Sequence, residues 1–367
     1  MTKNLALILA LLGVLAACSD GSGSNPVFNG EDTAEDGDDG DTGDGDDGDD
    51  TDDGDDGDDT DDGDDGSIDG DSDLPPGTTS PSAKKGIIRY EAYDEDAGTG
   101  FARQVSYDSD TDTFLVNNLG FDGTEATPYT RGVAVGSLGP FAVYEAVDTV
   151  VDPLSGEEIE QFPHKAIYGV SRSGATRFAI VRTGAYVDYG YGGFIYERDG
   201  SVVLPTEGQA TYEGDYAGLR DFNGRDGVEY STGTMNVDID FEDFDNGGAV
   251  KGYVTDRAIF DIDGNEVTQD ILDALAADTG STVTALPTLI FKVGPGHLDK
   301  NGEIAGEINS WKPGTGDSLE EFESGNYYAV ISGDDAEEIV GVIVVESEDP
   351  RYESVTVRET GGFILSR

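Results

Sequence analysis

Cysteine is almost missing from this chain. Cys18 is the only one among 367 residues, so no disulfide can form within it and the fold must be held by its core alone. Histidine is nearly as scarce, with His164 and His297 the only two. No His/Cys cluster with zinc spacing can be assembled from them. No Ser/His/Asp set can be built either, and the G-x-S-x-G, P-loop and dinucleotide fingerprints are absent. Both histidines read as surface turn residues rather than ligands. Carboxylates are so abundant that no pair stands out as a glycosidase acid and base. These absences argue against an enzyme. Basic residues are short too: 21 Lys and Arg against 78 Asp and Glu, a formal net charge of −57. A field of that sign repels nucleic acid and anionic lipid headgroups, so no nucleic-acid partner is expected. Past the first eighteen residues, no apolar run approaches the ~20 residues that a membrane helix needs.

What is there begins with Lys3 and the apolar stretch Leu5 to Leu15. This is the length of a signal-peptide core and too short to span a bilayer. Leu15-Ala16-Ala17-Cys18 follows and resembles the lipobox of bacterial lipoproteins. That resemblance implies a signal peptide over 1–17 and diacylglycerol on Cys18, where each buried CH₂ adds about 0.8 kcal/mol of membrane affinity. Ser19 follows the cysteine where Asp would favour inner-membrane retention, which by resemblance to enterobacterial sorting points to the outer membrane; the body is expected at the cell surface, with the periplasmic face as the alternative.

Residues 18–83 read as a disordered acidic stalk. From Ser19 to Ala83 there are 26 acids and no Lys or Arg, with Asp-Asp-Gly recurring through Asp38 to Gly66 and Pro75, Pro76 and Pro81 at the end. Nothing there can be buried and like charges repel. A flexible chain of this length has an r.m.s. span of roughly 45 Å, enough to lift the body off a lipid surface. The repeat lacks the distal Glu and ordered turn of a calcium loop, so weak, diffuse association with Ca²⁺ is expected and no specific metal site. Without the stalk and Lys3, 52 acids still face 20 bases. The body is acidic in its own right, which suits either solubility in salt or a basic partner.

From Ile87 the texture changes to short alternating runs such as Phe101–Tyr107, Thr113–Val116, Phe141–Glu145 and Arg177–Val181, broken by Gly, Asn and Asp. These are signals of antiparallel strands with one buried face. The chain is read as all-β, with a β-rich handle-like domain over 84–205 and a second domain over 206–367. The second half shows eight strands near 208–218, 228–241, 248–262, 283–293, 302–311, 324–333, 335–347 and 353–366. Met235, Val237, Ile239 and Phe241 alternate with Asn236, Asp238 and Asp240, giving one apolar and one charged face. Turns such as Asp245–Gly248, Asp299–Gly302 and Ser332–Asp335 connect neighbours. Eight sequential antiparallel strands most simply close into an up-and-down barrel, and a two-sheet sandwich is the alternative. One helix is expected at Gln269 to Ala277, with Thr268 as its N-cap.

Several runs in this half resemble the transferrin-binding protein B family. Gly208-Gln-Ala-Thr-Tyr-Glu-Gly214 is similar to the opening strand of that family's C-terminal barrel. Gly233 to Phe241 and Ala249-Val-Lys-Gly252 are similar to the next two strands. Gly325-Asn-Tyr-Tyr-Ala329, Ala336-Glu-Glu338 and Gly341 resemble its G-x-F-Y-G-x-x-A-x-E-x-x-G signature, with Ala329 standing where Gly is usual, and Gly361–Leu365 suits the closing strand. The family pairs a β-rich handle with an eight-stranded barrel on a lipid anchor. It serves iron uptake, haem binding or binding of host factors. This chain has room for one such lobe, and Asp263 to Thr282 makes a long connection between strands three and four. The resemblance therefore implies the architecture and a solute-binding role, with the ligand unassigned.

Aromatic residues supply the candidate binding side chains. Tyr186, Tyr189, Tyr191, Phe194 and Tyr196 crowd a Gly-rich segment, and Trp311 is the only tryptophan. Such rings are favoured at binding surfaces. Alternating tyrosines also cover a sheet or join two subdomains, and both readings stand. Haem held through a tyrosine is compatible with this inventory. The function expected is non-enzymatic capture of a solute or partner protein by a monomeric, lipid-anchored protein, with iron or haem acquisition as the implied process. The alternative is a structural or adhesive envelope protein working through its acidic surface and divalent cations.

Overall fold

The computed structural model describes residues 73–367, apart from 118, 121, 125–126, 153, 185–187, 243–248, 293–297 and 315–317. The signal sequence, Cys18, the Asp-Asp-Gly tract, Tyr186, His297 and the Asp245–Gly248 turn lie outside the described residues.

The chain is all-β with a single helix among the described residues. Its first sheet is built from β1 (Ile87–Tyr90), β2 (Gln104–Asp108), β3 (Thr113–Asn117), β4 (Tyr129–Arg131), β5 (Ser137–Leu138), β6 (Phe141–Glu145), β9 (Lys165–Val170), β10 (Thr176–Arg182) and β11 (Gly192–Arg198). The spatial order is β1-β11-β10-β9-β6-β4-β3-β2, with β5 paired to β6. A separate hairpin joins β7 (Thr149–Val151) to β8 (Glu158–Glu160).

The second half is a closed barrel of eight antiparallel strands in sequence order: β12 (Gln209–Asn223), β13 (Val228–Asp240), β14 (Val250–Phe260), β15 (Leu289–Phe291), β16 (Glu303–Pro313), β17 (Leu319–Ser332), β18 (Glu338–Glu348) and β19 (Thr356–Ser366). Closure comes from the β12–β19 ladder, which runs from Glu213 opposite Ser366 to Asn223 opposite Thr356. That ladder rules out the sandwich, whose first and last strands would be edges.

The barrel is a packed core. Tyr212, Tyr216, Phe291, Tyr327 and Phe363 point inward among Met235, Val237, Ile239, Ile308, Ile331 and Ile343. Phe291 and Tyr327 stack face to face. Room for such rings comes from facing glycines. A Cβ on Gly361 would sit 2.1 Å from Cζ of Tyr216. Its neighbour Gly362 faces outward, where a Cβ would meet Phe178 Cε2 of the first sheet at 2.2 Å. The two domains therefore touch across a bare backbone. Around this contact Ile87, Phe141, Ile180, Phe194 and Tyr196 pack against Leu219, Val228, Tyr230, Val340 and Val342. This explains why Ile339–Val345 is an unbroken apolar run: one set faces the barrel interior and the other the handle. The handle's other face carries its own core of Val105, Phe114, Tyr129, Tyr144, Tyr168 and Ile195.

Four sequence expectations are corrected. The fourth barrel strand spans only Leu289–Phe291, not 283–293, because Val283 and Leu286 turn onto the helix. That helix, α1, spans Thr268–Thr279. Its N-cap is Val267, with no side-chain cap bond. Thr268 instead accepts the Ile259 N–H on Oγ1 at 2.9 Å, pinning α1 to β14. Ile271 and Leu275 pack on Ile259 and Phe322, so the helix covers one mouth of the barrel. His164 is not at the surface. It opens into β9, fully buried, with Nδ1 3.2 Å from the Phe162 carbonyl and Nε2 without a partner. Finally, residues 73–83, read as the end of the stalk, lie on the body. Thr78 N–H donates to Ile88 O, and Tyr90 N–H to Pro76 O, each at 3.0 Å, so this strap covers the free edge of β1. Arg89 and Arg198 clamp it. Arg89 reaches Pro75 O (3.2 Å) and Thr78 O (3.3 Å) while pairing with Glu303 of the barrel at 2.7 Å. Arg198 donates to Ser82 O and Lys85 O on one side and to Asn301 O and Ile331 O on the other.

Candidate functional site

In this acidic protein most of the arginines are spent on carboxylates. Arg89, Arg131, Arg177, Arg182, Arg220, Arg257, Arg351, Arg358 and Arg367 all meet carboxylates. The barrel mouth beneath α1 holds the longest chain of them: Glu323, Arg257, Glu359, Arg220, Glu229, Arg351 and Asp349. Burial alone would raise the Glu359 carboxyl, but Arg257, Arg220 and the donated Tyr216 hydroxyl bring it below its ordinary value.

Arg103 is not among these arginines. Among the described residues it meets no carboxylate and no carbonyl. Its guanidinium lies over the Tyr90 ring at 4.8 Å and beside Tyr93 at 6.0 Å. Phe101 stands edge-on to Tyr93 (5.2 Å) and to Tyr191 (4.7 Å). Tyr93 is 53% exposed, so the cluster opens to solvent.

The local chain explains the assembly. Tyr90 ends β1, and the loop that follows is fixed at its base by Glu91, which accepts from Arg182 at 2.7 and 2.9 Å and from the Gly100 N–H. Asp94 Oδ1 takes the N–H groups of Asp96 and Ala97, so that carboxylate serves its own turn. Phe101 N–H then donates to Gly192 O at 3.0 Å, which sets Phe101 against Tyr191 and leads Arg103 into β2.

Two hollows flank this region and the barrel mouth. A groove of about 460 Å³ runs between handle and barrel, lined by Leu74, Pro75, Glu91, Phe194, Tyr328 and Val344. Another of about 540 Å³ lies beside α1, lined by Asp278, Lys312, Phe322, Tyr352 and Thr356. Among the described residues no group of three or more His, Cys, Asp or Glu is placed to hold a metal ion. No described helix is long and apolar enough to cross a membrane.

The aromatic residues singled out in the sequence go to different places. Tyr191 belongs to the Arg103 cluster. Tyr189 is buried at the handle–barrel seam, its hydroxyl 2.8 Å from Thr356 Oγ1 and its ring under Arg358 at 4.6 Å. Tyr196 lies in the core between the two domains, where burial pushes its hydroxyl far above the usual phenol range. Trp311 is on β16, 43% exposed and opposite Glu321, and shares no ring contact with the described tyrosines. Tyr90, Tyr93, Phe101 and Arg103 escaped the sequence reading. The available signal was an arginine set among aromatics in a chain that spends most of its arginines on acids.

No protein-family model matches the chain, and no curated protein does. Solved structures do match. A double mutant of the vaccine antigen transferrin-binding protein B from Haemophilus parasuis is 13% identical, covering 62% of this chain and 37% of that one, with a TM-score of 0.33. Intact transferrin-binding protein B with its N and C lobes is 12% identical, covering 60% and 42%, with a TM-score of 0.30. A surface lipoprotein is 13% identical, covering 53% and 79%, with a TM-score of 0.26. The chain thus spans less than half the length of the first two.

Proposed function

We propose that this protein is a non-enzymatic binding protein, tethered by lipid on Cys18 to the outer membrane and displayed at the cell surface as a monomer. Residues 18–72 serve as the acidic tether, 73–205 form the strap and handle, and 206–367 form the barrel. The observation that carries the reading is the division of aromatic side chains. Inside the barrel, rings fill the interior with the protein's own atoms, so the barrel core is scaffold. On the handle, Tyr93, Phe101 and Tyr191 form an open surface around Arg103, the composition that recognition surfaces favour. The sequence motifs that resemble transferrin-binding protein B fall in order on β12, β13, β14, β17, β18 and β19, which supports linking capture to iron or haem.

The mature chain purified from its native membrane should carry a mass excess or an absorption band from a bound solute, or retain a defined partner protein. A clean unliganded mass, unchanged by haem and iron chelates and with no partner retained, would refute capture. Labelling with radioactive fatty acid should mark the wild type and not Cys18→Ala. A second reading, adhesion through divalent cations, is favoured by one observation: outside residues 19–83 and Lys3, 52 acids face 20 bases. That reading requires self-association or adhesion that chelation of Ca²⁺ abolishes, whereas capture is indifferent to chelation.

A further inference from the structure

Arg89, Arg182, Arg198, Arg257 and Arg358 are buried, and their N–H groups end on carboxylates or on backbone carbonyls that join strap, handle and barrel. Arg103 has neither partner among the described residues, yet it is positioned, its guanidinium carbon over the Tyr90 ring at 4.8 Å from the centroid. A guanidinium placed over a ring has one face against it and its N–H edges available, and those edges match a carboxylate in a two-point contact. Next to the cation stand the exposed Tyr93 ring and, 5.2 Å from it, the ring of Phe101.

The neighbouring acids do not neutralise it. Asp94 is held by its own turn and Glu91 by Arg182, and neither they nor any other described carboxylate pairs with Arg103. The surrounding field is strongly negative, so a small inorganic anion gains too little from one arginine to stay. An anion that also brings a ring gains the aromatic contact as well.

We propose that Arg103, Tyr90, Tyr93 and Phe101 form a binding site for a small planar aromatic carboxylate. The carboxylate takes the guanidinium edge and the ring lies against Tyr93 and Phe101. This deepens the capture reading given above by assigning a ligand chemistry to the handle surface, and it rests on that reading. No bond is made or broken.

The test uses the full mature chain in detergent with 0.5 M NaCl, which shortens the reach of the body's negative field to roughly 4 Å. Three probes are titrated by calorimetry and fluorescence: 2-naphthoate, 2-naphthalenemethanol and acetate. Saturable binding of one naphthoate is expected, at least tenfold tighter than the alcohol, with no binding of acetate. Arg103→Gln should erase the preference for the acid while keeping the melting temperature. Arg103→Lys should recover part of it, and Tyr93→Ala, at an exposed position, should weaken acid and alcohol alike. Equal affinity for acid and alcohol in the wild type would overturn the proposal. So would undiminished naphthoate binding by a folded Arg103→Gln, or no binding of either aromatic probe. The capture reading survives each of these failures, because it is judged separately by what the native protein carries.

Discussion

His164 should give this protein an acid-sensitive step that one substitution removes. The imidazole is fully buried, its Nδ1–H donates to the Phe162 carbonyl at 3.2 Å, and Nε2 faces no acceptor. Burial lowers its pKa to about 4, against 6.5 for a free histidine, and the Phe162 carbonyl offsets only part of this. A group lowered in the folded state is neutral in both states above pH 6.5, so its full contribution to stability is present there. Between pH 6.5 and 4 the unfolded chain takes up a proton that the folded one refuses, and stability falls. At pH 4.5 the linkage amounts to ~2.5 kcal/mol relative to pH 7.5. His164→Leu stays neutral throughout. Urea unfolding at both pH values should show the wild type losing ~2.5 kcal/mol more than the variant on acidification. Loss of the Phe162 hydrogen bond is common to both pH values and drops out of the difference, as do carboxylates that titrate in both proteins. Equal losses in the two proteins would refute the buried neutral imidazole.

Other substitutions probe the packing and the strap. Gly362→Ala places a methyl where Phe178 already stands, and overpacking of this kind costs about 1–3 kcal/mol, read as a lower urea midpoint with an unchanged slope. Glu303→Gln leaves Arg89 buried without its charge partner, and breaking such a pair costs ~3–5 kcal/mol. Limited proteolysis should then cut at Lys84 or Lys85, where the strap joins the handle, faster than in the wild type. Because the body carries far more acids than bases, the melting temperature should rise as NaCl goes from 0.05 to 0.5 M, and a flat response would argue against self-repulsion at its surface.

The barrel could be read from the sequence because its far wall obeys one rule. Met235, Val237 and Ile239 face the interior while Asp238 meets water, so period-two alternation survives in the letters. Where the handle covers the wall the rule changes. Val340 and Val342 are apolar for the handle and Ile339 and Ile343 for the interior, and nothing in that run says which partner each will find. Leu74-Pro75-Pro76 was invisible for another reason: a strap held by backbone hydrogen bonds and by two distant arginines leaves no periodicity of its own. His164, beside a proline and a lysine, had the look of a turn, and only tertiary contact turns its ring inward. The Arg103 cluster joins residues on both sides of a loop with Tyr191, far along the chain, so its members were legible one at a time and their meeting was not.

The paired glycines bear on how such a lobe can change over generations. At Gly361 and Gly362 a single thickness of backbone separates the Tyr216 phenol from the Phe178 phenyl. A side chain added at either position strikes a ring, and a smaller ring on either side leaves a void against that same strand. The handle and barrel are therefore not interchangeable cassettes. A foreign handle grafted onto this barrel must bring an aromatic ring to the place of Phe178, and a foreign barrel must bring a bare stretch of strand to receive it. New specificity is more easily gained at the loops around Tyr93, which touch neither ring.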